Sequence, residues 1–197
     1  MREIYNSKKY ALINKKDKYL YRKVLDYLKP QKEDKILEIG CGRGFLTKEI
    51  QFFSKDTTGI DINPEAVSQG VAPNLRIMDA TKLDFPSDYF DKIYSCHTIE
   101  HIPDLKGLFK EIERVLKPGG KALLVYPWEA FRGIGAMGAS LMIFKTPFHC
   151  RKIHLHKLNP QKIEKILESS QLHSLKSYFS FLITPQYFTI LEKSNGV

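Results

Sequence analysis

The run Gly40-Cys41-Gly42-Arg43-Gly44 places three glycines at every second position, and an acid, Asp61, stands seventeen residues beyond the last. Directly before the glycines lies the run Ile36-Leu37-Glu38-Ile39, and directly before the acid lies Thr57-Thr58-Gly59-Ile60. Each run is short and apolar enough for a buried strand. A glycine turn lets backbone come close to a ligand, and a carboxylate after the next strand can accept hydrogen bonds from both hydroxyls of a ribose. This is the pattern of a nucleoside site.

A second concentration of reactive side chains is His97-Thr98-Ile99-Glu100-His101. As a string it matches the His-x-x-Glu-His metal-peptidase motif. That chemistry needs both histidines on one helix face and a third ligand later in the chain. Here the string comes straight after a predicted strand, so the peptidase reading is set aside. His97, just past the strand end, is the expected catalytic residue, because a histidine titrating near neutrality can take a proton from an acceptor. His149, His154 and His156 are weaker candidates, the last two being expected in a polar hinge before the final helix.

These residues are positioned by alternating strand-like and helix-like segments, the signature of a largely parallel sheet covered on both faces. Predicted strands are 35–40, a second ending at residues 61–62, 75–78, 90–96, 121–126, 175–181 and 188–192. Predicted helices include 17–29, 45–53, a short one opened by Asn63-Pro64, 105–116 and one from Asn159-Pro160 to about residue 169. Leu105, Leu108, Phe109, Ile112 and Leu116 fall on one face of the fourth of these. At 197 residues with 43% hydrophobic content the chain suits one domain, residues 1–197, with a substantial core. Three scattered cysteines and a polar, basic start point to a reducing, cytoplasmic setting rather than a secreted one.

The glycine spacing is not that of the dinucleotide fingerprint, whose third glycine comes three residues after the second; Phe45 occupies that place here. With Glu38 the string reads Glu-x-Gly-x-Gly-x-Gly, which resembles motif I of the class I S-adenosylmethionine-dependent methyltransferases. The resemblance continues in order to about residue 127. It runs through Gly59-Ile60-Asp61-Ile62, Ile77-Met78-Asp79-Ala80, residues 83–93, Glu100-His101-Ile102 and residues 114–121. It implies an α/β, Rossmann-like sheet of seven strands, mostly parallel with the last antiparallel, helices on both faces and an insertion after strand 5. It also implies S-adenosylmethionine as cofactor. Glu38 would order the turn, and Gly40, Cys41, Gly42 and Gly44 would form it beside the methionine portion. Asp61 would hold the ribose, Ile62 would pack on the adenine, Asp79 and Ala80 would face its edge, and Cys96 would line the site. Glu100 and His101 are expected to brace the loop by hydrogen bonds. A divalent metal at this turn stays open, and none is assigned.

Residues 128–156 interrupt the pattern as a lid-like insertion. Tyr126, Trp128, Phe131 and Phe148 are the expected substrate contacts. Within the family the chain is most similar to the small-molecule methyltransferases of ubiquinone and menaquinone biosynthesis. A hydrophobic or aromatic acceptor, methylated on oxygen or carbon, is the leading expectation. Ser95-Cys96-His97-Thr98 stands where an Asn-Pro-Pro-Tyr type motif would serve exocyclic amines. The net charge of +9 is uneven: residues 1–35, a basic N-terminal helical segment to residue 34, hold eleven Lys/Arg against five Asp/Glu, and residues 145–176 hold seven against two. Such flanks suit an anionic membrane surface or, as an alternative function, RNA. No aromatic-basic RNA module accompanies them, so nucleic acid is the weaker partner. A non-catalytic cofactor-binding protein is the third reading, and either a monomer or a homodimer is compatible with the sequence.

Overall fold

The computed structural model describes residues 17–130, 133–181 and 185–195. The first sixteen residues of the basic N-terminal segment, and Phe131, lie outside them. Five parallel strands, β1 (Ile36–Ile39), β2 (Thr57–Asp61), β3 (Leu75–Ile77), β4 (Phe90–Cys96) and β5 (Leu116–Pro127), are joined by β6 (Leu172–Ser180) and β7 (Gln186–Lys193). The sheet order is β3-β2-β1-β4-β5-β7-β6. β7 runs antiparallel to both of its neighbours, so the last strand alone opposes the others. The seven-stranded, mostly parallel sheet expected from the sequence is present. β5 starts earlier than expected because Leu116 already pairs with Phe90, ahead of the Pro118-Gly119-Gly120 turn.

Because both faces are covered, neighbouring residues of one strand enter different cores. Leu37 and Ile39 of β1, Ile93 of β4, and Ala122, Leu124 and Tyr126 of β5 face one side. There they meet α4 (Leu105–Val115) through Leu108, Phe109 and Ile112, and α7 (Pro160–Leu167) through Ile163 and Leu167. Ile36, Tyr94, Leu123 and Val125 face the other side, against α1 (Lys18–Leu28) and α2 (Phe45–Ile50). The side chain of Asp17 caps α1 by accepting from the amides of Tyr19 and Leu20, and Lys29 ends it in the left-handed conformation. A short helix, α3 (Pro64–Ser68), follows β2 with Asn63 as its cap.

The chain leaves β1 toward β2 and β3, then returns on the other side of β1 as β4. Ligands of open α/β sheets bind in the crevice at such a switch point, beyond the carboxyl ends of the strands. Here Ser95 Oγ of β4 donates to the Ile39 carbonyl of β1 at 3.0 Å, fastening the two strands beside that crevice. After β5 the chain forms α5 (Met137–Phe144) and α6 (Cys150–Ile153) before α7. Among the described residues no helix is long and apolar enough to cross a membrane. Cys41, Cys96 and Cys150 all carry free thiols.

Candidate active site

The glycine turn is held from two sides. Gly40 N and Cys41 N both donate to the Ile60 carbonyl, at 2.8 and 2.9 Å, tying the turn to β2. Gly40 has φ +77°, and a Cβ there would lie 2.1 Å from Thr98 Oγ1, so neither the backbone nor the space admits a larger residue. Asp61, at the end of β2, then spans the gap. Its Oδ2 accepts from Gly42 N at 2.7 Å, and its Oδ1 accepts from Asn63 N at 2.8 Å. Burial pushes the Asp61 carboxyl up from its ordinary value, while backbone donors from Asn63, Gly42 and Ile62 pull it back. Each oxygen of a carboxylate can accept more than one bond, which leaves Asp61 able to take two ribose hydroxyls.

Glu38 lies beneath the turn and does not line the cleft. Its Oε2 accepts from Thr47 Oγ1 of α2 and from the Tyr94 hydroxyl of β4, the latter at 2.9 Å. It thus orders the turn from below by joining the helix that follows it to the neighbouring strand. Burial pushes the Glu38 carboxyl up to about 7 even though both donors pull it down.

A cleft of about 320 Å³ opens at the switch point. Of the expected cofactor contacts, Gly40, Asp61, Ile62, Asp79, Ala80 and Cys96 line it, and so does His97. Cys41 is buried, Gly42 reaches the cleft through its bond to Asp61, and Gly44 caps α2. Asp79 is also engaged locally: its Oδ1 accepts from the amide and hydroxyl of Thr81, at 2.9 and 2.7 Å. Sequence reasoning missed Thr98 and Met78, which line the same cleft. Thr98 was detectable through Gly40, since the missing Cβ there marks the place its side chain occupies.

His97 follows β4 with φ +50°, an uncommon conformation for a residue with a side chain. Its Nε2 is 2.8 Å from Gln186 Oε1 and its Nδ1 is 3.6 Å from Glu100 Oε1. Burial draws its pKa down, but Glu100, aided by Gln186, outweighs burial and leaves it raised. Gln186 was invisible in the sequence because it sits 89 residues away on the first position of β7. His101 also lines the cleft, whereas the weaker candidates His149, His154 and His156 do not. His154 Nδ1 meets Glu129 Oε1 at 2.6 Å, His156 Nε2 meets the Ile102 carbonyl at 2.9 Å, and His149 packs edge-on against Phe144. His154 is buried rather than part of an exposed hinge.

The expected substrate contacts fare unevenly. Tyr126 is fully buried in the core with its hydroxyl 2.8 Å from Thr189 Oγ1, so it does not reach the cleft. The period-two alternation of β5 turns it inward, a direction that its position near the strand end does not reveal. Trp128 is 43% exposed and lies edge-on to Phe179, while Phe148 is 87% exposed on the segment after β5. Trp128 follows Pro127, which pairs with Gln186, the residue that holds His97.

Fold and site have the arrangement expected of a class I methyltransferase domain. Residues 37–124 match the family model described as a methyltransferase domain. Over 105 residues the chain is 37% identical to the sterol 24-C-methyltransferase ERG6B of Gibberella zeae, covering 48% of this chain and 27% of that protein. The chain spans little more than a quarter of the curated sterol methyltransferases it matches first. In fold it is similar to the YcgJ protein of Bacillus subtilis, with TM-score 0.70, 15% identity, and 92% of this chain and 100% of that chain covered. It is likewise similar to geranyl diphosphate C-methyltransferase from Streptomyces coelicolor A3(2), solved with Mg2+, geranyl diphosphate and S-adenosyl-L-homocysteine. That match has TM-score 0.69, 14% identity, and covers 89% of this chain and 78% of that chain.

The elevated Glu38 carboxyl has a consequence for stability. An unfolded glutamate titrates near about 4.3, so between there and about 7 the folded chain holds the extra proton and folding is favoured by acid. This contribution is lost as pH rises to about 7 and is level above it. Thermal unfolding of the wild type and Glu38→Gln across that range should differ by a curve falling with pH. A flat difference would place the Glu38 titration elsewhere.

Proposed function

We propose that the chain binds S-adenosylmethionine in the cleft and transfers its methyl group to a hydrophobic or aromatic small molecule. The observation that carries this reading is the Asp61 carboxylate, held by Gly42 and Asn63 at the mouth of a cleft whose other walls are largely apolar. Ribose hydroxyls donate to Asp61, Ile62 packs on the adenine, and Asp79 with Ala80 meets its edge. In the transfer, a bond forms between the acceptor and the methyl carbon as the carbon–sulfur bond breaks. Sulfur keeps that electron pair and becomes a neutral thioether. The protein's main contribution is to align acceptor, carbon and sulfur in line.

His97 is the group beside the cleft suited to receive the proton that an oxygen or carbon acceptor loses. Gln186 on one side and Glu100 on the other fix its ring. An apolar acceptor is supported by the exposed Trp128 and by Phe179 next to it. The sterol and the geranyl diphosphate named for two similar proteins both carry large hydrocarbon portions, the latter beside an anionic diphosphate. The segment after β5 also exposes Met137, Leu141, Met142 and Phe148 alongside exposed Lys145, Arg151 and Lys152. Apolar side chains bordered by cations suit the surface of an anionic membrane, from which a lipid-soluble acceptor could be drawn.

Calorimetric titration with S-adenosylhomocysteine should show Asp61→Ala weaker by about a hundred-fold or more, the worth of two hydrogen bonds to a charged acceptor. Unchanged affinity would remove the ribose from Asp61. His97→Ala should keep cofactor affinity and lose turnover by roughly the 10²–10⁴-fold that a general base supplies, whereas normal turnover would take His97 out of the proton path. Vesicles of phosphatidylcholine with phosphatidylserine should sediment the chain at low salt more strongly than phosphatidylcholine alone. Phe148→Ser combined with Arg151→Glu should abolish that difference, and equal sedimentation by both vesicles would refute the membrane contact.

A further inference from the structure

Gln186 is a buried amide that uses only half of its hydrogen-bonding capacity. It is 4% exposed at the first position of β7, with Oε1 2.8 Å from His97 Nε2. Its Nε2 has no hydrogen-bond partner among the described residues, yet this atom is not sealed from solvent. An amide carries both an acceptor and donors, so a side chain that spends one atom on His97 has the other to give. Folded proteins leave few polar atoms of buried side chains unmatched.

The open atom survives either protonation state of His97. The carboxylate of Glu100, on the Nδ1 side of the ring, can only accept, so Nδ1 keeps its proton. A protonated ring then donates from Nε2 to Gln186 Oε1, and a neutral ring accepts from the amide turned over. In both cases one amide atom engages His97 and the other stays free. The surroundings are polar too. Ser180 of β6 pairs directly with Gln186 and so shares its face of the sheet, and Ser180 Oγ is 3.5 Å from the Tyr19 hydroxyl of α1. Two residues further along the same face, Phe188 and its partner Tyr178 pack in the apolar layer beneath α1, with Tyr178 stacked on Tyr27 at 4.7 Å. This face therefore changes from apolar to polar where it approaches His97, which lines the cleft.

We propose that Gln186 is an acceptor-binding residue whose open amide atom holds a hydroxyl at or beside the atom that is methylated. The inference rests on the methyl-transfer reading above and narrows its acceptor to a hydroxylated apolar molecule of the phenol class, not a bare hydrocarbon. A hydroxyl both donates and accepts, so it satisfies the amide in either orientation. A site built to bond a hydroxyl rejects the analogue that lacks one, because the buried amide is then left unpaired. The rival role for Gln186 is to hold the His97 ring and touch nothing else.

The test saturates the full chain with S-adenosylhomocysteine and titrates it with para-propylphenol and with propylbenzene, which differ only in the hydroxyl. Nitrogen-edited NMR spectra should show the Gln186 side-chain amide shifting with the phenol and staying in place with propylbenzene. Gln186→Leu should still bind S-adenosylhomocysteine and should lower the preference for the phenol over propylbenzene by about two- to ten-fold, the worth of one hydrogen bond. Should that variant not fold, the amide shift of the wild type decides alone. An amide unmoved by the phenol, or moved equally by both compounds, would overturn the proposal, as would a preference unchanged in Gln186→Leu. A phenol that shifts the His97 ring alone would reduce Gln186 to a positioning residue. Failure of S-adenosylhomocysteine itself to bind would overturn the methyl-transfer reading, and this inference with it.

Discussion

Where the backbone turns after β1 decides what the rest of this molecule can do. The turn is placed by one half-buried carboxylate, Asp61, which takes the amide of Gly42 on one oxygen and the amide of Asn63 on the other. Those two bonds join the end of β1, the end of β2 and the start of α3 at a single point. The Ile60 carbonyl adds two more bonds from the other side of the turn. Bonds to a charged acceptor in a partly water-excluded site are among the stronger ones a protein makes. The left-handed glycines of the turn are what this geometry requires. Glu38 underpins the same turn from the core through Thr47 and Tyr94, at the expense of holding an acid where burial disfavours its charge.

The fold and the placing of the glycine turn beside Asp61 were legible in the sequence because their constraints are local. A glycine with no room for a Cβ, an acid at a strand end, and alternating apolar runs all leave marks within a few residues. Phe90–Cys96 was found to the residue, and the face of α4 that carries Leu105, Leu108, Phe109 and Ile112 is the face that is buried. Boundaries drifted where long-range pairing extended a strand. β6 begins at Leu172, where the expected strand began at residue 175, because Leu172 pairs with Lys193 of β7.

The surroundings of His97 and His154 were less legible, since they are assembled from distant segments. Gln186 reaches His97 from the far end of the chain, and Glu129 reaches His154 across 25 residues. Neither partner has a local signature. Tyr126 shows the opposite error: a residue next to the expected lid is turned into the core by strand alternation and spent on Thr189. The histidines that looked like a hinge belong to a packed joint between the turn after β4 and the segment after β5. In that joint Glu100 lies beside both His97 and His101.

The claim on which all of this depends is that the switch-point cleft holds the methyl donor. A crystal structure of the chain with S-adenosylhomocysteine tests it most directly. The account predicts both ribose hydroxyls on Asp61, the adenine against Ile62 with its edge toward Asp79 and Ala80, and the sulfur toward the side of the cleft where His97 stands. A nucleoside bound away from Asp61, or a cleft left empty while the ligand sits elsewhere, would contradict it.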